Sequence, residues 1–275
     1  GVSIINLNES FLISPKDLKF KNIVSQNNTN GLSSANARTI FQDRFGNIWI
    51  GNYRSGVDII SYEQDTFNTL PYLINSEGDS SYRQIWGLSS IGNEIYASGE
   101  EEIHIFNNFK KIKSINLTPY SSISNSHLNV IYRDKKNLLW LGAYKDGIMC
   151  LNPKTNRIDR IKESYGLNIN CFFEDGEYMI IGADEGIYRY KDGKLTHWED
   201  IQNQLPDKMV HGILKDKEGK LWIGTFGQGV SIFNRENKRE WNFIKNNGFP
   251  SNAVNHMILD SQKMVWIATR EGLIK

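Results

Sequence analysis

Asn47-Ile48-Trp49-Ile50-Gly51, Leu138-Leu139-Trp140-Leu141-Gly142, Lys220-Leu221-Trp222-Ile223-Gly224 and Met264-Val265-Trp266-Ile267-Ala268 are four copies of one short phrase. Two degraded copies lie between them. Glu94-Ile95-Tyr96-Ala97-Ser98-Gly99 carries Tyr in the place of Trp, and Tyr178-Met179-Ile180-Ile181-Gly182 carries Ile. Measured at that central position, the successive spacings are 47, 44, 40, 42 and 44 residues. A period of about 40–45 residues is the length of a four-stranded blade in a radial β architecture.

One repeat shows what is built. In the copy from Val210 to Phe233, Gly212-Ile213-Leu214-Lys215 reads as a short apolar strand and Asp216-Lys217-Glu218-Gly219 as a turn. Leu221-Trp222-Ile223 is the second strand, Gly224 to Gly229 a glycine-rich bend, and Val230-Ser231-Ile232-Phe233 the third. A fourth strand follows around Glu240-Trp241-Asn242-Phe243-Ile244. The second strand is apolar on both faces, so its sheet must be covered on both sides. Sheets stacked face to face around an axis meet that demand and leave only short edges. The expected fold is therefore all-β, a β-propeller of four-stranded antiparallel blades forming one unit over 1–275. The repeats fall near 31–80, 81–125, 126–165, 166–205 and 206–247, with partial ones at 1–30 and 248–275.

The strand count decides how many blades to expect. Gly1-Val2-Ser3-Ile4-Ile5 matches Gly229-Val230-Ser231-Ile232-Phe233, and the chain ends at Gly272-Leu273-Ile274, so both termini read as third strands. The total is about 25 strands, where six blades need about 24 and seven about 28. Between six and seven blades, this count favours an incomplete seven-bladed ring cut from a longer array.

Composition excludes several functions. The 275 residues are 39% hydrophobic and 12% aromatic, enough for a large core. Lys and Arg number 32 against 31 Asp and Glu, a formal charge of +1, which gives no electrostatic drive toward nucleic acid or an anionic membrane. The run Lys110-Lys111-Ile112-Lys113 reads as a solvated strand edge. No apolar run approaches the ~20 residues that span a bilayer, and no cleavable signal precedes Gly1, so the chain is expected to be soluble. Cys150 and Cys171 are too few for a disulfide framework or a cysteine zinc site and read as small buried residues.

No catalytic constellation interrupts the repeat. Asp43, Asp134, Asp175, Asp216 and Asp260 each open the turn between first and second strands, where Asp accepts hydrogen bonds from the turn backbone. His104, His127, His197, His211 and His256 have no metal-ligand spacing. The bend Glu100-Glu101-Glu102 reads as a solvated loop ahead of a calcium site. No metal and no cofactor are expected. Polar side chains do recur at one place, five residues before each turn Asp: Arg38, Asn129, Asn170, His211 and Asn255, with Gln84 as the counterpart in the second repeat. The bends after the second strands add Tyr53, Arg54, Tyr144, Lys145, Phe226, Gln228 and Arg270. A propeller collects both sets on one face of its ring. Polar planar groups beside aromatic rings suit sugars, whose hydroxyls need directional partners. The competing reading is that these side chains satisfy loop carbonyls.

The phrases Gly31-Leu32-Ser33-Ser34, Ile40-Phe41-Gln42-Asp43 and Gly46-Asn47-Ile48-Trp49-Ile50-Gly51 resemble the two-component regulator propeller repeat. Ile213 to Gly229 and Gly248 to Leu273 match it equally well, so the resemblance covers nearly the whole chain. It implies a periplasmic sensor region of a bacterial hybrid two-component system, in which two propellers and a β-sandwich precede a membrane helix and a histidine kinase. The implied function is non-catalytic recognition of a glycan-derived oligosaccharide. The implied partners are that ligand, the parent's second propeller and β-sandwich, and a second copy of the chain, with no direct nucleic acid contact. Two alternatives compete with it: a propeller lyase or hydrolase with His211, His256 and Arg270 meeting at the channel mouth, and a protein-interaction or dimerisation platform.

Overall fold

The computed structural model of the chain describes residues 2–3, 32–34, 36–52, 57–60, 67–70, 85–99, 102–107, 110–120 and 127–274. Its described strands form six four-stranded sheets. Blade 1 runs Ala37–Gln42, Ile48–Asn52, Val57–Ile60 and Phe67–Leu70, and blade 2 runs Gly87–Ile91, Glu94–Ser98, Glu102–Asn107 and Lys110–Asn116. Blade 3 holds Leu128–Arg133, Leu139–Ala143, Gly147–Asn152 and Arg157–Ile161, and blade 4 holds Ile169–Asp175, Tyr178–Ala183, Gly186–Lys191 and Lys194–His197. Blade 5 comprises Val210–Lys215, Leu221–Thr225, Val230–Phe233 and Arg239–Phe243. Blade 6 takes Val254–Leu259, Val265–Thr269 and Gly272–Ile274 from the C-terminal end and adds Val2–Ser3 beside the last of these.

Two expectations are corrected here. The chain does not make part of a seven-bladed ring: it closes with six blades. Blade 6 lies directly against blade 1, where the Asn255 side-chain amide donates to the Ala37 carbonyl (2.7 Å) and Ser261 N donates to Gln42 Oε1 (2.6 Å). Nor is the N-terminal segment a third strand. Val2 and Ser3 pair in parallel with Leu273 and Ile274, so the segment completes the sheet that holds the C-terminal strands. The match to Gly229–Phe233 reflects a shared apolar alternation, which fits an outer position as well as a third one.

The core lies between blades. All four Trp-bearing second strands are buried at every position, and each of the apolar clusters joins neighbouring sheets, as when Trp222 and Val230 of blade 5 pack with Val254, Met257 and Val265 of blade 6. The repeat glycine permits this approach. A Cβ on Gly142 would stand 2.6 Å from Ile169 Cγ2 and from Val130 Cγ1, and one on Gly224 would stand 2.6 Å from Val254 Cγ1. Ile169 and Val254 are the first residues of the next blade's innermost strand, and Val130 belongs to the same blade as Gly142.

The turn aspartates do more than cap turns. Asp43, Asp134, Asp216 and Asp260 accept backbone N–H groups of their own turns, and each also accepts the indole N–H six residues on: Trp49 (2.9 Å), Trp140 (3.0 Å), Trp222 (2.8 Å) and Trp266 (2.7 Å). Aspartate and tryptophan thus occur together because a buried indole N–H needs an acceptor and the turn carboxylate is within reach. In blade 2, Tyr96 instead donates to Glu94 Oε2 (2.7 Å). The outer strand Lys110–Asn116 is largely exposed, as its charge run implies. Cys171 is buried and Cys150 partly exposed; both thiols are free, and burial raises both, Cys150 to about 12.

Candidate functional site

The innermost strands surround a central cavity of about 560 Å³ to which every blade contributes, with Ile40, Leu88, Ile131, Phe172, Ile213 and Met257 among its walls. Its walls are mainly apolar. The polar side chains singled out from the sequence gather where these strands begin and the second strands end.

At that face the recurrent position has two uses. Asn129 donates to the Ile169 carbonyl (3.1 Å), Asn170 to the Val210 carbonyl (3.3 Å) and Asn255 to the Ala37 carbonyl (2.7 Å). Each amide therefore ties its blade to the first residue of the next. For these three side chains the structural reading, satisfaction of a carbonyl, is what the geometry displays. Arg38 and His211, at the same position, take part in stacks instead.

The first stack crosses blades 1 to 3. The Arg38 guanidinium carbon lies 4.9 Å from the centre of the Trp86 ring. Trp86 stacks on His127 (4.9 Å, 26°), and His127 stacks on Tyr144 (5.3 Å, 6°). Lys145 Nζ lies 5.2 Å from the Tyr144 ring centre. The ring faces are covered by one another and the Trp86 indole N–H, which has no hydrogen-bond partner, is itself buried, so what the stack offers to an approaching ligand is the 37% exposed ring of Tyr144. The Lys145 backbone is left-handed (φ 58°) and its N–H donates to Asn168 Oδ1 (2.9 Å), which fixes the bend.

The second stack crosses blades 4 to 6. His211 packs on Phe226 (5.1 Å, 32°), and the Arg270 guanidinium carbon lies 4.3 Å from the same ring centre. His211 Nε2 is 3.7 Å from Asp184 Oδ1, an ion-pair distance and not a hydrogen bond. Asp184 also accepts from Asn170 Nδ2 (2.8 Å) and Asn168 Nδ2 (2.9 Å). Burial pushes the Asp184 carboxyl upward, but the imidazole and the two amides outweigh it and hold the group below the usual carboxylate range. The carboxylate therefore stays ionised. Gln228 is exposed in the bend, its N–H donating to Thr225 Oγ1 (3.2 Å).

Tyr53, Arg54 and Gln84 lie outside the described residues. Gln84 is nonetheless not the repeat equivalent in blade 2. Tyr96 pairs with Ser89 as Trp140 pairs with Tyr132, which puts Trp86 at the position of Asn129. Blade 2 lacks the turn Asp from which the count starts and uses the shorter turn Gly92-Asn93, so the offset moved by two residues. Trp86, His127, Asn168 and Asp184 are the members that sequence reasoning missed, although each holds a repeat position: Trp86 that of Asn129, Asn168 that of His127, and Asp184 that of Tyr144, Phe226 and Arg270. Of the three residues placed at a catalytic mouth, His256 lies in the seam between blades 6 and 1. Its Nδ1 accepts from Ile40 N (3.4 Å), and burial lowers its pKa to about 4.

The family model of the two component regulator propeller matches residues 31–54 and 204–227, which are parts of blades 1 and 5. Two of the six repeats are thus similar to the two-component regulator propeller repeat. Among solved structures, this chain is similar to the extracellular domain assigned to a hybrid two component system of B. thetaiotaomicron. That likeness has 30% identity and a TM-score of 0.59, and covers 92% of this chain and 34% of that one. Streptogramin B lyase, at 14% identity and a TM-score of 0.61 over 89% of this chain and 81% of that one, shares the fold alone. A curated relative, histidine kinase P4 of Formosa agariphila, is 24% identical over 164 residues, which are 52% of this chain and 12% of that protein. The chain therefore spans about a third of the similar extracellular domain and about an eighth of the kinase. No helix among the described residues is long and apolar enough to cross a membrane.

Proposed function

We propose that this propeller is a ligand-sensing module of a hybrid two-component signalling protein. It works outside the inner membrane, in the periplasm, and performs no catalysis itself. The observation that carries this reading is the 30% identity over 92% of the chain with the extracellular domain of such a system. The ligand in this proposal is a glycan-derived oligosaccharide held on the face where the two stacks lie. The exposed Tyr144 ring carried on the Trp86–His127 stack, the Arg38 and Arg270 guanidinium groups and the His211–Asp184 pair supply both donors and an ionised acceptor, which is the mixture that sugar hydroxyls require. The signal passes through the parent's second propeller and β-sandwich, and through pairing of two copies, to a histidine kinase.

Calorimetric titration of the parent sensor region with a panel of oligosaccharides tests the reading. A binding oligosaccharide should lose about tenfold or more in affinity in the Trp86→Ala or His211→Ala variant. Silence across the panel, or binding that both variants leave untouched, removes the sugar and the face from the proposal.

A further inference from the structure

Blade 4 has no tryptophan in its second strand, and the space where one would stand is taken up only in part, by Trp198. Ile180 holds the position of Trp222 and faces blade 5. Beside it is a cavity of about 370 Å³ between blades 4 and 5, on the side of the ring where the turns of the first and second strands lie. Trp198, which follows the fourth strand of blade 4, enters this space from the other direction. It is 6% exposed, and its indole N–H has no hydrogen-bond partner. Arg189 Nε, also lining the cavity, has none either. Two buried donors without acceptors in one cavity are uncommon, because each costs the desolvation of its N–H group.

The charge and geometry specify what would satisfy them. The Arg189 guanidinium carbon lies 5.0 Å from the Trp198 ring centre and 5.3 Å from that of Tyr178. Rings packed on a guanidinium leave its in-plane N–H edge for bonding, and a carboxylate matches that edge with two oxygens. Lys215 is neutralised by Asp175, to whose Oδ2 it donates (2.6 Å). Arg235 donates through Nε and Nη2 to the Glu218 carbonyl, a neutral partner (2.9 and 2.7 Å). The cavity thus keeps two guanidinium charges with no matching carboxylate of its own.

We propose that this cleft between blades 4 and 5 binds a small carboxylate-bearing molecule of monosaccharide size, its carboxylate accepting from Arg189 Nε and Trp198 Nε1. Tyr178, 39% exposed, is the wall that swings aside to admit it. The cleft is separate from the stacked face, and the inference stands without the sensory reading.

The test uses the 275-residue chain with 15N-labelled tryptophan, the Trp198 indole signal being the one lost in Trp198→Phe. D-glucuronate should shift that signal saturably, and D-glucose, its neutral counterpart, should not. Arg189→Lys should weaken the response about tenfold, since an ammonium cannot offer the paired in-plane contact, and Arg189→Met should abolish it. Melting temperatures of both variants close to the parent's confirm that the loss is local. No response to glucuronate, an equal response to glucose or inorganic phosphate, or a response removed by Trp86→Ala on the opposite face overturns the proposal. So does a crystal grown in glucuronate with only an ordered water between the two nitrogens.

Discussion

Blades 4 and 5 have the same strand order and nearly the same register, yet each closes the face toward the next blade differently. In blade 5, Asp216 accepts both its turn backbone and the Trp222 indole, and the ring fills the space toward blade 6. In blade 4 the ring is gone. Asp175 turns to the Lys215 ammonium of the neighbouring blade, and Tyr178, Arg189 and Trp198 stand around the vacancy without filling it. A single change from Trp to Ile therefore alters three things together: the partner of an aspartate, the closure of an interblade face and the donors left without acceptors. Repeats tolerate such a loss because each blade contacts only its neighbours, so the deficit stays local.

The largest way to break this contrast is to make blade 5 resemble blade 4. Trp222→Ala should cost about 3–5 kcal/mol in urea unfolding, from lost contacts and the cavity left behind. Asp216→Ala should cost about 1–3 kcal/mol, since it orphans the Trp222 indole and the Lys220 N–H. The reverse change sharpens the comparison. Ile180→Trp should destabilise by about 1–3 kcal/mol while Trp198 is present, through overpacking, and should recover much of that loss in an Ile180→Trp, Trp198→Ala double variant.

The seam between blades 6 and 1 supplies a pH prediction. His256 lies deep between the blades, with part of its surface facing the channel, and burial lowers its pKa to about 4 from 6.5, helped by the nearby His211 and opposed by the Ile40 backbone. The unfolded chain then takes up a proton that the folded chain refuses. Stability falls as pH drops from 6.5 toward 4 and levels off below that, by an amount on the order of 1–3 kcal/mol. His256→Asn should flatten that slope in melting curves recorded across the interval. The smallest effect is Asp175→Asn. Its pair with Lys215 is about a third exposed on each side and screened by solvent, so the cost should stay under about 1 kcal/mol.

Most of the architecture was legible because it is written at short range. The third strand Val230–Phe233 coincides with the expected one, and the fourth, Arg239–Phe243, is displaced by a single residue from Glu240 to Ile244. The turn aspartates were recognised as acceptors from the chemistry of turns alone. Their bonds to tryptophan were not, although the constant six-residue offset is present in every Trp-bearing copy. The candidate face was half legible. Arg38, His211, Phe226 and Arg270 are in stacks, and Tyr144 and Lys145 form one end of a stack. Asn129, Asn170 and Asn255 are blade-to-blade ties. Trp86 was hidden by the shortened turn of blade 2. Asp184 stands four residues after Ile180, as Tyr144, Phe226 and Arg270 stand four after their tryptophans, so its place was legible and only its partners, His211 and two amides from other positions, were not.

The amino-acid order by itself determined the four-stranded repeat, its period and the need to cover both faces of each sheet, because alternation and turn chemistry act among residues a few positions apart. Only the tertiary structure decided that six blades close the ring, that Arg38, Trp86, His127 and Tyr144 form one stack, and that a cleft opens beside Ile180. These depend on the angle through which each sheet turns from the last and on contacts as remote as the 218-residue separation of Asn255 from Ala37. No local pattern encodes such distances.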